Sequence, residues 1–398
     1  MMSKEHVLEL RCAPIPLVRI AFIGMGNRGL ATLKRYMMLD GVKIVAICDL
    51  ASENIDKAYE VIQNSSYEAC NMYTGENDWQ LLCRRPDIDL IYICTDWNAH
   101  AMMAVEAMNC GKHVAVEVPL AMTVEDCWRI VDTAEKTQRH CFMTENCCYD
   151  PFSLMTLRMA QEGILGDITH CEGAYIHDLR TRYQTDAANG GYFNDWMNEY
   201  CNGFQGNPYP THGLGPIAQL LNIHRGDRLK YLVSMPAKAE KGIPIINNTL
   251  LQTEKGVSIL LQYDVSTPRP YSRLQTTCGT KGFTQKYPQP CISLDNMPEN
   301  QDAASIQELY RHPLSATIGE EGKLRGVTNE MNYIMDRRLI YCLQQGLPLD
   351  MDVYDAAEWS CITQLSALSA SQNGQMMEIP DFTRGRWQLI SGFKYHMQ

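Results

Sequence analysis

The segment Gly24-Met25-Gly26-Asn27-Arg28-Gly29 constrains the fold more than any other feature of the chain. It follows the apolar run Leu17–Ile23 and opens the amphipathic stretch Arg28–Met38, so its glycines sit where a strand hands over to a helix. Gly24 permits the tight turn, Gly26 lets the backbone approach a pyrophosphate, and Gly29 allows close packing of helix on strand. The helix N-terminus then offers free N–H groups and a partial positive charge to the phosphates. Met25, Asn27 and Arg28 complete the loop and are expected along the same ligand. Asp49 ends the next apolar run, 20 residues beyond Gly29. A carboxylate there binds ribose hydroxyls and repels a 2′-phosphate, which favours NAD over NADP.

The first 150 residues continue that alternation. Val42–Cys48, Leu90–Cys94, His113–Val118 and Cys141–Thr144 read as buried strands. Ser52–Gln63, Ala99–Cys110 and Val124–Thr137 read as helices, with Ser52 and Thr123 as N-caps and Gly111 as a stop. Strands alternating with helices predict a parallel, doubly wound α/β sheet, a Rossmann domain. Past Asp150-Pro151 one helix, Ser153–Glu162, ends at Gly163. Strands then dominate: Thr169–Ile176, Leu229–Ser234, Asn248–Gln252, Ser258–Tyr263 and Arg273–Thr277. That pattern predicts an α+β domain with a largely antiparallel sheet, one face of which packs on helices such as Met331–Gln344 and Tyr354–Ser371. Residues 178–211, rich in Gly, Asn, Tyr and Trp, read as a long ordered loop. The expected division is 1–149 for an NAD-binding Rossmann domain and 150–398 for a substrate-binding α+β domain.

A chain of 398 residues suits two domains. Its formal charge of −11 argues against a nucleic-acid partner and against an anionic membrane face. No apolar run approaches the roughly 20 residues of a spanning helix. The first residues, Met1 to Pro16, lack the uninterrupted apolar stretch of a signal peptide. The 16 cysteines sit at strand ends (Cys48, Cys94) or within helical patterns (Cys110, Cys127, Cys342), as buried small hydrophobes do. Such thiols fit a reducing, cytoplasmic setting. Without CxxC, HxxxH or HxH spacing, no metal site is expected.

Thr95-Asp96-Trp97-Asn98-Ala99-His100, Gly111-Lys112-His113-Val114 and Glu117-Val118-Pro119 resemble the Gfo/Idh/MocA oxidoreductases. Asp96 stands where that superfamily usually has proline, and Val118 where it has the lysine that moves a proton to or from the substrate hydroxyl. A narrower resemblance is to glycoside hydrolase family 109. It is carried by Glu117-Val118-Pro119, Thr144-Glu145-Asn146-Cys147-Cys148-Tyr149, Tyr175-Ile176-His177-Asp178-Leu179-Arg180 and Tyr209-Pro210-Thr211-His212-Gly213. Lys286-Tyr287-Pro288, the segment Gly346–Asp355 and the tail Pro380–Gly385 continue it, whereas Asn329–Tyr333 and the stretch from Arg180 to Pro208 depart from the family pattern.

That resemblance implies hydrolysis of N-acetylgalactosaminides with NAD as a tightly held, recycled cofactor. Hydride leaves carbon 3 of the sugar, the ketone acidifies the proton at carbon 2, and the glycosidic oxygen is eliminated. Water adds and the hydride returns, so the paired carboxylates of common glycosidases are not needed. Asn98, His100, Glu117 and Asn146 join the expected cofactor contacts, and Glu145, Tyr149 and Arg180 the expected sugar contacts. His212 is the first candidate for proton transfer, because an imidazole titrates near neutrality. Tyr175 ends a strand and offers a phenolic donor; Tyr209 and Tyr287 offer hydroxyls to bind or polarise the sugar. Strand alternation sends neighbours among His177, Asp178 and Arg180 to opposite faces, so part of that set is structural. Two alternatives stay open: an NAD-dependent sugar dehydrogenase or epimerase using His212 and a tyrosine, and a non-catalytic NAD- and sugar-binding sensor. A homodimer is a further expectation, should the C-terminal sheet expose a face.

Overall fold

The computed structural model describes residues 5–180, 203–237, 246–295 and 302–397. Compact packing divides the chain into two units. One runs to Thr144 and adds Glu321–Ala357 and the tail from Lys394; the other is Glu145–Glu320 with Glu358–Phe393.

The first unit holds six parallel strands: β1 (Val18–Ile23), β2 (Val42–Cys48), β3 (Asn71–Tyr73), β4 (Leu90–Ile93), β5 (His113–Val116) and β6 (Cys141–Met143). Their order is β3-β2-β1-β4-β5-β6, with the reversal of direction between β1 and β4 that places a nucleotide crevice at the strand ends. Every residue of β4 and β5 is buried, which is why these strands read as unbroken apolar runs. The crossovers are α1 (Asn27–Tyr36), α2 (Ser52–Gln63), α3 (Asp78–Arg84), α4 (Trp97–Asn109) and α5 (Val124–Thr137). Thr123 caps α5 as its sequence suggests, accepting from the Asp126 N–H. Ser52 does not cap α2. Ala51 holds that position, and its methyl offers no side-chain acceptor; its N–H donates to Asp49 at 2.8 Å. Asp96, the departure from proline, caps α4 by accepting from the Asn98 and Ala99 N–H groups.

The observed units differ from the division at 149/150. Residues 321–357, expected in the second domain, belong to the first. The reason lies in the helix Glu330–Gln345, which packs on α1 and β1 and buries Tyr333, Ile334, Met335, Leu339 and Ile340. Its Asp336 meets Arg35 of α1 at 2.6 Å, both side chains buried or nearly so. The departing segment Asn329–Tyr333 is the start of this helix, with Asn329 accepting from the Asn332 N–H as N-cap.

The second unit carries an eight-stranded sheet. Its strands are β7 (Ile168–Ile176), β8 (Leu229–Pro236), β9 (Asn247–Thr253), β10 (Ser258–Asp264), β11 (Ser272–Gly279), β12 (Gly282–Gln285), β13 (Cys291–Leu294) and β14 (Met377–Glu378). The order is β13-β12-β11-β7-β10-β9-β8-β14, antiparallel except for the parallel pair of β7 and β10. The largely antiparallel sheet is thus observed, with its one parallel pairing at the centre. The helix α6 (Pro151–Gln161) starts at Asp150, whose carboxylate accepts from the Phe152 and Ser153 N–H groups. Phe152, Met155 and Met159 of α6 form a core with Leu165, Ile292 and Ile306.

The helix α7 (Thr211–Leu220) lies against β7. From sequence, His212 between Pro210 and Gly213 reads as loop-like, yet it lies in this helix, whose Gly213, Gly215 and Pro216 are poor helix formers. Packing overrides propensity there: a Cβ on Gly173 of β7 would stand 2.3 Å from the Gly213 carbonyl oxygen, so the two backbones touch only because both residues are glycine. Of the expected ordered loop 178–211, residues 181–202 lie outside the described residues.

Candidate active site

The dinucleotide cradle belongs to the first unit. Gly24 has φ of 91°, and a Cβ on it would lie 2.5 Å from the Cys94 carbonyl oxygen. A Cβ on Gly29 would fall 1.9 Å from the Gly24 oxygen, so helix and turn meet there. Gly26 differs: a Cβ on it would meet no described atom within 4 Å, which leaves the open side a pyrophosphate needs. Gly26 is also the N-cap of α1 and makes no side-chain cap bond, so the first amides of α1 are left to phosphate oxygens. Asp49 is held in place by the Met25 and Ala51 N–H groups, one to each carboxylate oxygen. The remaining lone pairs suit ribose hydroxyls. These residues fit a dinucleotide.

Arg28 and Glu117 face each other in this unit at 2.9 Å, and Glu117 also accepts from the Tyr92 hydroxyl. Val118, which replaces the superfamily lysine, is buried and precedes a cis proline. His100 is fully buried with Nδ1 2.8 Å from the Pro119 oxygen and Nε2 3.2 Å from the Thr95 oxygen. Burial lowers its pKa, and a neutral ring donates to only one of these two carbonyl oxygens. Asn98 is exposed in the first turn of α4.

The proton-transfer candidates gather in the second unit. Glu145 follows β6 in sequence and caps a short 3-10 turn, Asn146–Tyr149, by accepting from the Cys147 N–H. Its two oxygens lie 2.7 and 2.9 Å from His212 Nδ1. Burial alone would raise the Glu145 pKa, but the His212 charge outweighs it and holds the carboxyl below its usual range. Burial alone would lower the His212 pKa; the acidic groups of Cys147 and Glu145 more than offset it and raise it to about 10. An ionised carboxylate only accepts, so the Nδ1 proton lies toward Glu145. The sequence argument treated His212 as poised near neutrality; Cys147 and Glu145 together shift it toward the protonated form.

Glu145, Cys147 and His212 place three possible ligand atoms within 4.8 Å of one another, a grouping that spacing could not reveal because its members come from two segments. A cation there would have to displace the proton that Nδ1 shares with both Glu145 oxygens, so the geometry is that of an ion pair.

Around His212 the structure assembles a wall of rings. Tyr209 lies 4.8 Å from His212 between ring centroids, and Tyr175 lies 4.8 Å from Tyr209 and 5.8 Å from His212. The wall continues from Tyr175 to His177, to Tyr271 and to Tyr287. Alternation therefore puts His177 on the face of Tyr175, while Asp178 and Arg180 pair with each other at 2.8 Å on exposed chain. Tyr149 is fully buried and Asn146 nearly so. Thus Glu145, His212, Tyr209 and Tyr175 come together, the rings run on through His177 and Tyr271 to Tyr287, and Arg180 pairs with Asp178.

Sequence reading passed over Arg273, Asp150 and Tyr271. Arg273 is buried, and its Nη2 lies 2.8 Å from Asp150 and 3.2 Å from the Tyr287 hydroxyl. Lys286 also bonds Asp150. The only sequence signal was the Lys286-Tyr287-Pro288 motif itself.

A dinucleotide cradle in one unit and an imidazolium among tyrosines in the other define an NAD-dependent, sugar-acting protein of the Gfo/Idh/MocA type. Residues 18–145 match the oxidoreductase family with the NAD-binding Rossmann fold, and residues 149–245 and 241–389 match the C-terminal domain of glycosyl hydrolase 109. The chain belongs to glycosyl hydrolase family 109. It is 54% identical over 410 residues to an alpha-N-acetylgalactosaminidase of Bacteroides fragilis, covering 97% of this chain and 96% of that one. It is 53% identical to a family 109 protein of Phocaeicola vulgatus, covering 97% of this chain and 100% of that one. Among solved structures, a levoglucosan dehydrogenase in complex with NADH and L-sorbose superposes with a TM-score of 0.71 at 17% identity, over 92% of this chain and 99% of that chain. That likeness concerns the fold.

Proposed function

We propose that this protein is an NAD-dependent glycosidase that cleaves N-acetylgalactosaminides with no net oxidation or reduction. The observation that carries the reading is the His212–Glu145 ion pair set among Tyr175 and Tyr209, on the segment that the family resemblance marks most specifically.

Bound NAD supplies a temporary hydride acceptor for carbon 3 of the sugar, held by the glycine loop and Asp49. The chain handles the protons. As the hydride leaves carbon 3 its hydroxyl proton passes to a base, and both return in the last step; the ketone between them acidifies the hydrogen on carbon 2, and once a base takes it, the carbon 1–oxygen bond breaks and a carbon 1–carbon 2 double bond forms. His212, an imidazolium at neutral pH, gives its Nε2 proton to the departing oxygen. The neutral imidazole then takes a proton from the water that adds to carbon 1, while carbon 2 regains its hydrogen. Glu145 keeps the ring oriented and stabilises its charge at the start and end of the cycle. Tyr175, Tyr209 and Tyr287 supply hydroxyls to bind the sugar and relay protons. The sum is glycoside plus water giving free sugar and alcohol.

The partner is a small glycoside. Among the described residues no helix is long and apolar enough to cross a membrane, and every described cysteine is a free thiol, which supports a cytoplasmic setting. A homodimer is the assembly this reading adds. Val233, Leu250 and Leu260 stand in register on the less buried face of the sheet, an apolar row that a second copy would cover.

The test incubates the purified protein with aryl α- and β-N-acetylgalactosaminides, with and without NAD, following aglycone and NADH together. Release of aglycone without accumulating NADH, lost in His212→Ala, is the expected result. NADH accumulating on free sugar, with neither anomer cleaved, would replace the glycosidase by the dehydrogenase.

A further inference from the structure

The strand β11 is irregular where the site begins. Leu274 and Gln275 both adopt left-handed backbone, with φ of 57° and 53°, and the register with β7 slips on either side of Leu274. Non-glycine residues held this way cost energy and persist only when the surroundings fix them, which makes such a place a candidate for function. The surroundings here are specific. The Tyr287 N–H donates to the Leu274 carbonyl at 3.4 Å, and the Lys286 N–H to the Gln275 carbonyl at 3.3 Å. The kink thereby sets Tyr287 beside Arg273.

Arg273 is fixed from the other side by Asp150. Burial by itself would raise the Asp150 pKa, but Arg273 and Lys286 outweigh it and keep the carboxylate ionised. Asp150 divides its oxygens: Oδ1 caps α6, and Oδ2 takes Arg273 and Lys286. A single nitrogen of Arg273, Nη2, sends one N–H to Asp150 and the other to Tyr287. Two cations share one anion, so the cluster keeps a positive charge next to the phenol. The planar guanidinium fixes the directions of both Nη2 N–H groups, whereas an ammonium turns freely on a flexible stem.

We infer that Arg273 is a positioning residue for Tyr287: by donating into the phenol oxygen it aims that oxygen at the sugar and favours the phenolate, which takes a proton from the sugar to become the phenol and later gives it back. The inference rests on the glycosidase reading and adds to it the residue through which one tyrosine acts. Arg273 acts through Tyr287, with Asp150 and the β11 kink as its supports. Its effect therefore falls on the chemical step and vanishes when the phenol is absent.

A double-mutant cycle on the NAD-loaded enzyme tests this, with kcat and KM on an aryl N-acetylgalactosaminide and the thermal midpoint of every variant. Arg273→Lys is expected to lower kcat about tenfold to hundredfold with KM within about twofold, the signature of an interaction made at the transition state. Combined with Tyr287→Phe, it is expected to lower kcat no further than Tyr287→Phe alone, within about threefold. Should Arg273→Lys fail to fold, Arg273→Gln leaves Asp150 paired with Lys286, so no charge is buried alone, and the same cycle is run on that variant. Multiplying losses, or a raised KM with kcat kept, would make Arg273 a structural or sugar-binding residue and overturn the inference. A wild-type enzyme that releases no aglycone would overturn the glycosidase reading, and this assignment with it.

Discussion

His212 is shifted toward its protonated form by Cys147 and Glu145, and that has a consequence for stability. The folded His212 pKa of about 10 lies above its ordinary 6.5, so its contribution is complete below about pH 6.5 and is lost as pH rises through about 10. Glu145 is shifted the other way, so its share is present above about pH 4.5 and is lost as pH falls below its lowered folded value. The ion pair therefore stabilises the fold across neutrality and fails at both ends. Thermal midpoints of wild type and His212→Gln, measured from about pH 5 to about pH 11, are expected to differ most near neutrality and to converge on the alkaline side. A difference that grows with pH would mean that His212 is neutral in the fold. Among single residues the motif-borne ones were legible in sequence: His212, Tyr209 and Tyr175 come together, and the rings run on to Tyr287. Arg273 was not, since a lone arginine in a strand carries no spacing signal and its partner Asp150 lies far from it in sequence.

At the level of elements, the helix α7, which carries His212, depends on glycines more than on its own helix-forming tendency. Gly213 touches β7 at Gly173 and Ala174, and a Cβ on Gly213 would stand 2.6 Å from the Ala174 nitrogen. Both neighbours are backbone and cannot swing aside. Gly213→Ala is expected to lower unfolding free energy by about 1–3 kcal/mol, as overpacking does, and to impair turnover by moving His212 off Glu145. Urea denaturation and kcat on one preparation check it, and an unchanged midpoint would show that helix and strand part easily. The same geometry explains what sequence could and could not show. Strands β1, β2, β4 and β5 are buried on both faces and announce themselves as apolar runs. The three-residue β3, on the sheet edge with Asn71 and Met72 exposed, gives no such run and was missed. The helix α7 was missed because its composition speaks for a loop and only the contact with β7 speaks for a helix. The helix Glu330–Gln345 was found, but its allegiance to the first unit rests on the buried pair of Arg35 and Asp336, which no local pattern announces.

For the whole molecule, one unit holds a redox cofactor site while the other holds acid–base groups, yet the reaction that both serve is a hydrolysis. The fate of individual hydrogens separates this from its rivals. The hydrogen on carbon 3 leaves and returns as hydride without meeting water, whereas the hydrogen on carbon 2 passes through a group that exchanges with solvent. Turnover in deuterium oxide is therefore expected to give a sugar with deuterium at carbon 2 and with its original hydrogen at carbon 3. Direct displacement by a carboxylate pair would leave both carbons unlabelled. A dehydrogenase would release oxidised sugar and accumulate NADH. Proton magnetic resonance of the product reads the two positions at once, and retention of hydrogen at carbon 2 would exclude elimination. Loss of carbon 2 exchange in Tyr287→Phe but not in His212→Gln would then assign carbon 2 to the Arg273-supported phenol and leave the departing oxygen to the imidazolium.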